Sequence, residues 1–399
     1  MKQHIRFILP ILFLLCLALP GVGQEATAAT EAAEASAPRI SLLTASPGSE
    51  VYERFGHTAL RVRTAGGEDI VFNYGLFSFD APNFMYRFVK GETDYQLGAT
   101  RMPYFTMEYA MRGSQVNEQE LSLTPQEAQR IFDALLTNIR PENRVYRYSF
   151  FFDNCSTRPR DIIAAGLDAP IAYGDTTATQ SFRELVYSKT DPRSWLSFGI
   201  DLTLGANADR KATYAEQMFL PEHLMAAFDA ATTGGRKLVR ENSILVAAVP
   251  EEQPEQSGLP DSPLTVCWAA FVVMAALTAW EWRRGRVLRV VDTILFTAAG
   301  IAGCILFFLN FISVHPCVDD NWNCVWLQPL HLFAAVAVWI KSLKKLLYYY
   351  HFVNFVALIM LLLFYGLIPQ HFNAAFFPLI GILATRSLLH VSLTYKRNQ

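Results

Sequence analysis

Five apolar runs dominate the C-terminal third of the chain, at roughly 264–280, 290–312, 325–340, 347–367 and 372–392. The clearer ones approach the ~20 residues that a bilayer core requires. The segments between them alternate in charge. Arg283, Arg284, Arg286 and Arg289 follow the first run, Lys341, Lys344 and Lys345 the third, and Lys396 and Arg397 the fifth. Segments 313–324 and 368–371 contain no Lys or Arg. Basic loops are retained on the cytoplasmic side. The pattern therefore predicts an all-α transmembrane domain of five helices (264–393), a cytoplasmic tail (394–399) and an exported domain ahead of them. Such a chain sits multi-pass in the inner membrane with its globular part in the periplasm.

Residues 40–250 carry a different pattern. Segments 57–64 and 69–75 read as two strands joined by Ala65-Gly66-Gly67, a hairpin signal. Segments 93–98 and 115–123 alternate like strands, 146–152 is a dense aromatic strand, and 243–249 is a final one. Residues 83–89 predict a short helix. Thr124 caps a helix from Pro125 to about Asn138, with proline at its first position. Another helix starts near Cys155 and ends near Gly166, and 168–250 holds more helix. There is no regular βαβ alternation, so the exported domain reads as α+β.

The flanks are simpler. Lys2 and Arg6, the apolar run Phe7 to Leu19 and the exit Gly21-Val22-Gly23 read as a signal peptide over 1–23; retention as an additional helix is the alternative. Residues 24–39, mostly Ala, Glu and Thr, make a flexible tether. Residues 251–263, rich in Pro, Glu and Gln, make a linker. The chain is 52% apolar and 18% charged with a net charge of −2, which gives no reason to expect nucleic acid as a partner.

The exported domain holds one cysteine, Cys155, in Phe151-Phe152-Asp153-Asn154-Cys155-Ser156-Thr157-Arg158. It follows a strand and opens a helix. Unpaired N–H groups at a helix start favour a thiolate and can hold an oxyanion. His57, in Phe55-Gly56-His57-Thr58-Ala59, is the best-placed base by elimination. Asn154 is a candidate for orienting the loop, and Arg158 for gripping a phosphate or carboxylate. A third polar group should orient the imidazole, and the next strand offers Asn73 and Tyr74. These point to opposite faces, so at most one serves. The competing reading of Cys155 is a small buried hydrophobe. No zinc-ligand spacing, phosphate loop or dinucleotide fingerprint appears, so neither metal nor cofactor is implied. In the exported 313–324 loop, Cys317 and Cys324 are candidates for a disulfide, or two isolated thiols.

The order histidine, polar strand, cysteine reverses that of papain-like amidases. It resembles circularly permuted enzymes of the NlpC/P60 and lecithin:retinol acyltransferase-like (LRAT-like) kind, which carry an Asn-Cys pair before a helix, as Asn154-Cys155 do here. Glu53 to Val62, Phe72-Asn73-Tyr74-Gly75, Asp153 to Arg158 and Asn321-Trp322-Asn323, ahead of and within a membrane block, resemble the Lnb-type lipoprotein N-acyltransferase family. The resemblance implies a cysteine acyltransferase with Cys155 and His57 as its catalytic residues. Its expected partners are a phospholipid acyl donor, a diacylated lipoprotein acceptor and the membrane. A membrane-anchored cysteine hydrolase and a non-enzymatic scaffold are the alternatives.

Overall fold

Arg39–Ala45 (β1) is buried on both faces: Ile40, Leu42, Leu43 and Ala45 are all inaccessible, and so are Ser41 and Thr44. It lies inside a seven-stranded antiparallel sheet. The other strands are His57–Arg63 (β2), Asp69–Leu76 (β3), Asp94–Arg101 (β4), Val116–Leu121 (β5), Val145–Arg147 (β6) and Val239–Val246 (β7). Their spatial order is β7-β5-β1-β2-β3-β4-β6. The structure is a computed structural model and describes residues 35–48, 50–77, 82–249 and 262–398. The expected signal peptide and most of the expected tether and linker lie outside the described residues.

Helices cover both faces of the sheet. On one face, Ile40, Leu42, Leu60, Phe72 and Tyr74 pack against Pro125–Asn138, Thr157–Gly166 and Pro221–Ala230. On the other, Leu43, Ala59 and Val71 pack against Met102, Phe105 and Tyr109 of the helix Met102–Met111. The helix over 125–138 has the bounds its cap signals predict, with a Thr124–Glu127 capping box. The aromatic strand expected over 146–152 stops at Arg147. The chain then turns, and Ser149 and Asp153 bridge to each other. The last strand begins at Val239, earlier than its alternation indicated.

In order of introduction, the helices that bear on the argument below are α1 (Phe84–Lys90), α2 (Trp195–Thr203), α3 (Pro263–Arg284), α4 (Arg289–Phe311), α5 (His331–Ala337), α6 (Lys344–Phe364) and α7 (Phe376–Asn398). Among the described residues, four helical segments are long and apolar enough to cross a bilayer: Pro263–Arg284, Arg289–Phe311, Lys341–Leu367 and Phe376–Lys396. The third expected helix, 325–340, is not continuous. It consists of a 3-10 turn at Trp322–Val325, a break through Pro329, and α5, which has 7 residues. At 1.5 Å per residue α5 is only about 10 Å long.

The broken segment nevertheless runs beside α4. Asn321 N–H donates to Asn310 Oδ1 at 2.8 Å, and Trp339 Nε1 donates to Thr293 Oγ1 at 2.8 Å. Those contacts lie about 25 Å apart along α4. Gly303 permits the approach, since a Cβ there would stand 2.5 Å from the Gln328 backbone. Breaking a helix at membrane depth frees backbone carbonyls, which must find partners. His331 Nε2 meets the Trp326 carbonyl at 2.9 Å. Elsewhere, α3, α4 and α7 are joined by a buried ionic cluster. Arg386 Nε donates to Asp292 Oδ1 at 2.8 Å, the same guanidinium pairs with Glu281, and His390 Nε2 meets Asp292 Oδ2 at 2.7 Å. Pairing offsets part of the cost of burying these charges.

The globular and helical parts are clasped together. Asn321 Nδ2 donates to the Leu202 and Thr203 carbonyls at 2.9 and 3.1 Å. Asn323 Nδ2 donates to the Asp201 carbonyl at 3.1 Å, and Asn373 Nδ2 to Asp201 Oδ2 at 2.8 Å. Gln370 Nε2 donates to the Leu204 carbonyl at 3.0 Å. These contacts come from 313–324 and 368–373. The two loops that lack basic residues are therefore the ones that meet the globular domain, on the side where the charge pattern puts them.

Candidate active site

β2 begins at His57 and pairs with β3 in a register that sets Ala59 opposite Asn73. Side chains on one face of a strand recur every two residues. His57, Ala59 and Asn73 therefore share a face, and Tyr74 takes the other. His57 Nε2 lies 3.2 Å from Asn73 Oδ1. Tyr74 is buried, and its hydroxyl accepts from Asn138 Nδ2 at 3.0 Å. Of the two candidate orienters, Asn73 is at the imidazole and Tyr74 belongs to the core.

Cys155 lies in the turn between β6 and the helix Thr157–Gly166. Asn154 builds that turn. Its Oδ1 accepts from the Ser156 and Thr157 N–H groups at 2.8 and 3.0 Å. Its Nδ2 donates to the Phe150 and Phe219 carbonyls at 2.8 and 2.9 Å. Asn154 is thus a positioning residue. The Ser156 and Thr157 amides at the helix start are engaged by its side chain, not left for an oxyanion. A second pin holds the loop to β2: Thr58 Oγ1 and Ser156 Oγ are 2.9 Å apart and buried. Sequence reasoning missed both, although each directly follows a singled-out residue.

The half-buried Cys155 thiol lies beside the His57 ring, within reach of a side-chain hydrogen bond and a direct charge interaction. Burial pushes the thiol up. The His57 charge, the His57 hydrogen bond, the Thr58 N–H and the Ser156 hydroxyl together outweigh it, and the thiol is held below its ordinary value. For His57, burial acts downward, but the neighbouring sulfur and the Asn73 amide raise it. Each group therefore favours the charged form of the other. The charge partner, more than the helix end, makes the sulfur nucleophilic. With Nε2–H directed at Asn73, Nδ1 is the nitrogen left for sulfur.

Arg158 does not wait for a ligand. Its Nε and Nη2 donate to the two Asp153 carboxylate oxygens at 2.6 and 2.8 Å, and its guanidinium lies 3.6 Å from the Tyr146 ring centroid. The expected phosphate grip is occupied by an internal ion pair. Cys317 and Cys324 are both free. Cys317 is in a cluster with Phe151, Phe182 and Leu204, whereas Cys324 packs against the cluster of the membrane helices. The disulfide reading is corrected accordingly.

A mixed α/β domain bearing a Cys–His–Asn constellation, clasped onto apolar helices, defines a membrane protein with a cysteine-centred candidate site. Two family models match the chain in order: the Lnb N-terminal periplasmic domain over residues 25–186 and the Lnb transmembrane domain over residues 254–398. The chain belongs to the Lnb family. No curated protein and no solved structure matches it.

Proposed function

We propose that this protein is a lipoprotein N-acyltransferase of the inner membrane, with its catalytic domain in the periplasm. The observation that carries the reading is the Cys155–His57–Asn73 arrangement in a chain of the Lnb family. The chain order His57, Asn73, Cys155 supports a circularly permuted papain-like site. The broken segment beside α4 supports five crossings, one of them interrupted.

The reaction runs in two halves. His57 Nδ1 takes the Cys155 proton, and sulfur attacks the ester carbonyl of a phospholipid. The carbon–oxygen bond breaks, and His57 returns the proton to the departing lysophospholipid oxygen. The thioester is then attacked by the α-amine of a lipid-modified N-terminal cysteine. The carbon–sulfur bond breaks, an amide forms, and the amine's proton passes through His57 back to sulfur. Water must be kept from the thioester, since hydrolysis would waste the acyl group.

The test is intact mass spectrometry of the full chain incubated with phospholipid vesicles. The expected result is an acyl-sized adduct, absent in Cys155→Ala, that a diacylated lipopeptide discharges as an N-acyl product. Discharge to free fatty acid alone would make the protein a hydrolase. Transfer that persists in Cys155→Ala would end the thiol mechanism.

A further inference from the structure

We propose that α1 is the mouth of a track along which a phospholipid acyl chain enters from the outer leaflet, and that a ladder of aromatic rings leads it to Cys155. This rests on the transferase reading for what the lipid is used for, but not for where it binds.

The lower end of the track is fixed by contacts with the membrane helices. Val89 packs against their apolar cluster. The Tyr86 and Phe308 rings are 6.2 Å apart, the Val314 N–H donates to the Lys90 carbonyl at 2.8 Å, and His315 Nε2 meets the Phe88 carbonyl at 2.6 Å. α1 therefore sits at the end of α4 that faces the globular domain. It still exposes Met85 at 70%, Tyr86 at 56% and Phe88 at 46%. An apolar patch of this kind is costly in water and marks a contact surface. Phe311, which ends a helix of membrane-spanning length, and Ile312 and Val314 just beyond it are exposed beside it. The continuous apolar surface fits hydrocarbon, with α1 lying in the interface. One turn of α4 serves both features, since Phe308 meets Tyr86 while Phe307 and Phe311 line an apolar cavity of about 640 Å³ with Cys304 and Leu327.

The upper end is the candidate active site. From Phe88 the rings continue to Phe84 at 5.9 Å, Phe77 at 6.1 Å, Tyr95 at 5.0 Å and Tyr148 at 4.1 Å between centroids. Tyr148 and Tyr95 stand close enough to Cys155 for its charge to disfavour their ionisation, in addition to the larger effect of burial. The ring wall thus begins at the exposed apolar face of α1 and ends at the core cluster against which Tyr95, Tyr148 and Cys155 all pack. An acyl chain laid along it leaves water without hydrogen-bonding partners on that side, and brings its carbonyl to the nucleophile.

The test uses the full-length Cys155→Ala chain in vesicles that contain a phospholipid with a photoactivatable diazirine in its acyl chain. Peptide mapping is expected to find label on 84–95 and on the peptide that contains Tyr148, as well as on α4. Label confined to the membrane helices would overturn the track, whatever the enzyme does. A second arm compares Phe88→Asp with the unaltered chain. The variant should form acyl-Cys155 at least tenfold more slowly from long-chain phospholipid, with an unchanged rate of Cys155 alkylation by iodoacetamide, which reports an intact site. Equal acylation rates would also overturn the proposal. If 84–95 and Tyr148 are labelled but no acyl-Cys155 ever forms, the transferase reading fails and the lipid track stands.

Discussion

Asn73 Oδ1 stands 3.2 Å from His57 Nε2, on the diagonal of the β2–β3 pairing, where Asn73 is opposite Ala59. The amide fixes which ring nitrogen carries the proton and which faces the sulfur. A hydrogen bond to a charged partner contributes about 1.5–3 kcal/mol. Asn73→Ala should therefore lower kcat/KM for acyl transfer by ~10–100-fold, whereas His57→Ala should lower it by ~10²–10⁴-fold. Steady-state transfer to a lipopeptide measures both. Wild-type activity in Asn73→Ala would remove Asn73 from the mechanism.

The thiol's reactivity should follow pH in a way that reports the ion pair. Burial pushes Cys155 up, but His57 and the local hydrogen bonds bring it below the ordinary thiol value, and His57 itself is raised. Each shift favours the charged form, thiolate for Cys155 and imidazolium for His57. Nucleophilicity is lost as pH falls through the lowered cysteine value. The imidazolium is lost as pH rises through the raised histidine value. In His57→Ala the burial effect loses its main opponent, so the alkylation midpoint of Cys155 should move upward and the neutral-pH rate should fall. Rates of iodoacetamide labelling across pH give both midpoints. A wild-type midpoint at or above the usual ~8.5 would refute the pair.

Much of this arrangement was legible where local chemistry decides it. The helix over 125–138 was readable because Thr124, Pro125 and Glu127 form a cap. The β2–β3 hairpin was readable because its strands alternate around a glycine turn. β1 was not, because Ser41 and Thr44 are as inaccessible as Leu42 and Leu43, and a strand buried on both faces has no alternation. Cys155 and His57 stood out as a lone thiol and an eliminated base, but Asn73 and Tyr74 were separable only through the register. Arg158 looked like a ligand grip because its partner Asp153 lies five residues earlier, and nothing in the sequence shows that the turn after the aromatic segment folds the two together. The break in the third apolar run was hidden because mean hydropathy does not register how Pro329 and Gln328 divide it.

Cys317 and Cys324 should both alkylate with N-ethylmaleimide on denaturation without reductant. Compartment and spacing favour a bridge, but the two thiols pack in different clusters. Burial raises the Cys317 thiol to about 11, which keeps it protonated and unreactive in the folded protein. Peptide mapping of the labelled chain measures this. Two unmodified cysteines that become reactive only after reduction would establish the disulfide instead.

Arg183 and Asp201 make a fully inaccessible ion pair at 2.8 Å, and this pair anchors the clasp. Asp201 also accepts from Tyr187 and Asn373, and its carbonyl accepts from Asn323. Removing one partner of a buried pair strands the other charge and costs about 3–5 kcal/mol. Arg183→Ala should therefore loosen the globular domain from the membrane helices. Asn321→Ala removes hydrogen bonds to two carbonyls while leaving no charge unpaired, so it should cost less, about 1–3 kcal/mol. Denaturant midpoints of the detergent-solubilised full chain rank the two. The clasp fixes the globular domain against the membrane helices, so under the proposed function both variants should lose transfer to lipid-anchored acceptors while Cys155 still alkylates at the wild-type rate. If Arg183→Ala instead slows alkylation as much as transfer, the pair supports the site itself and not its placement over the membrane.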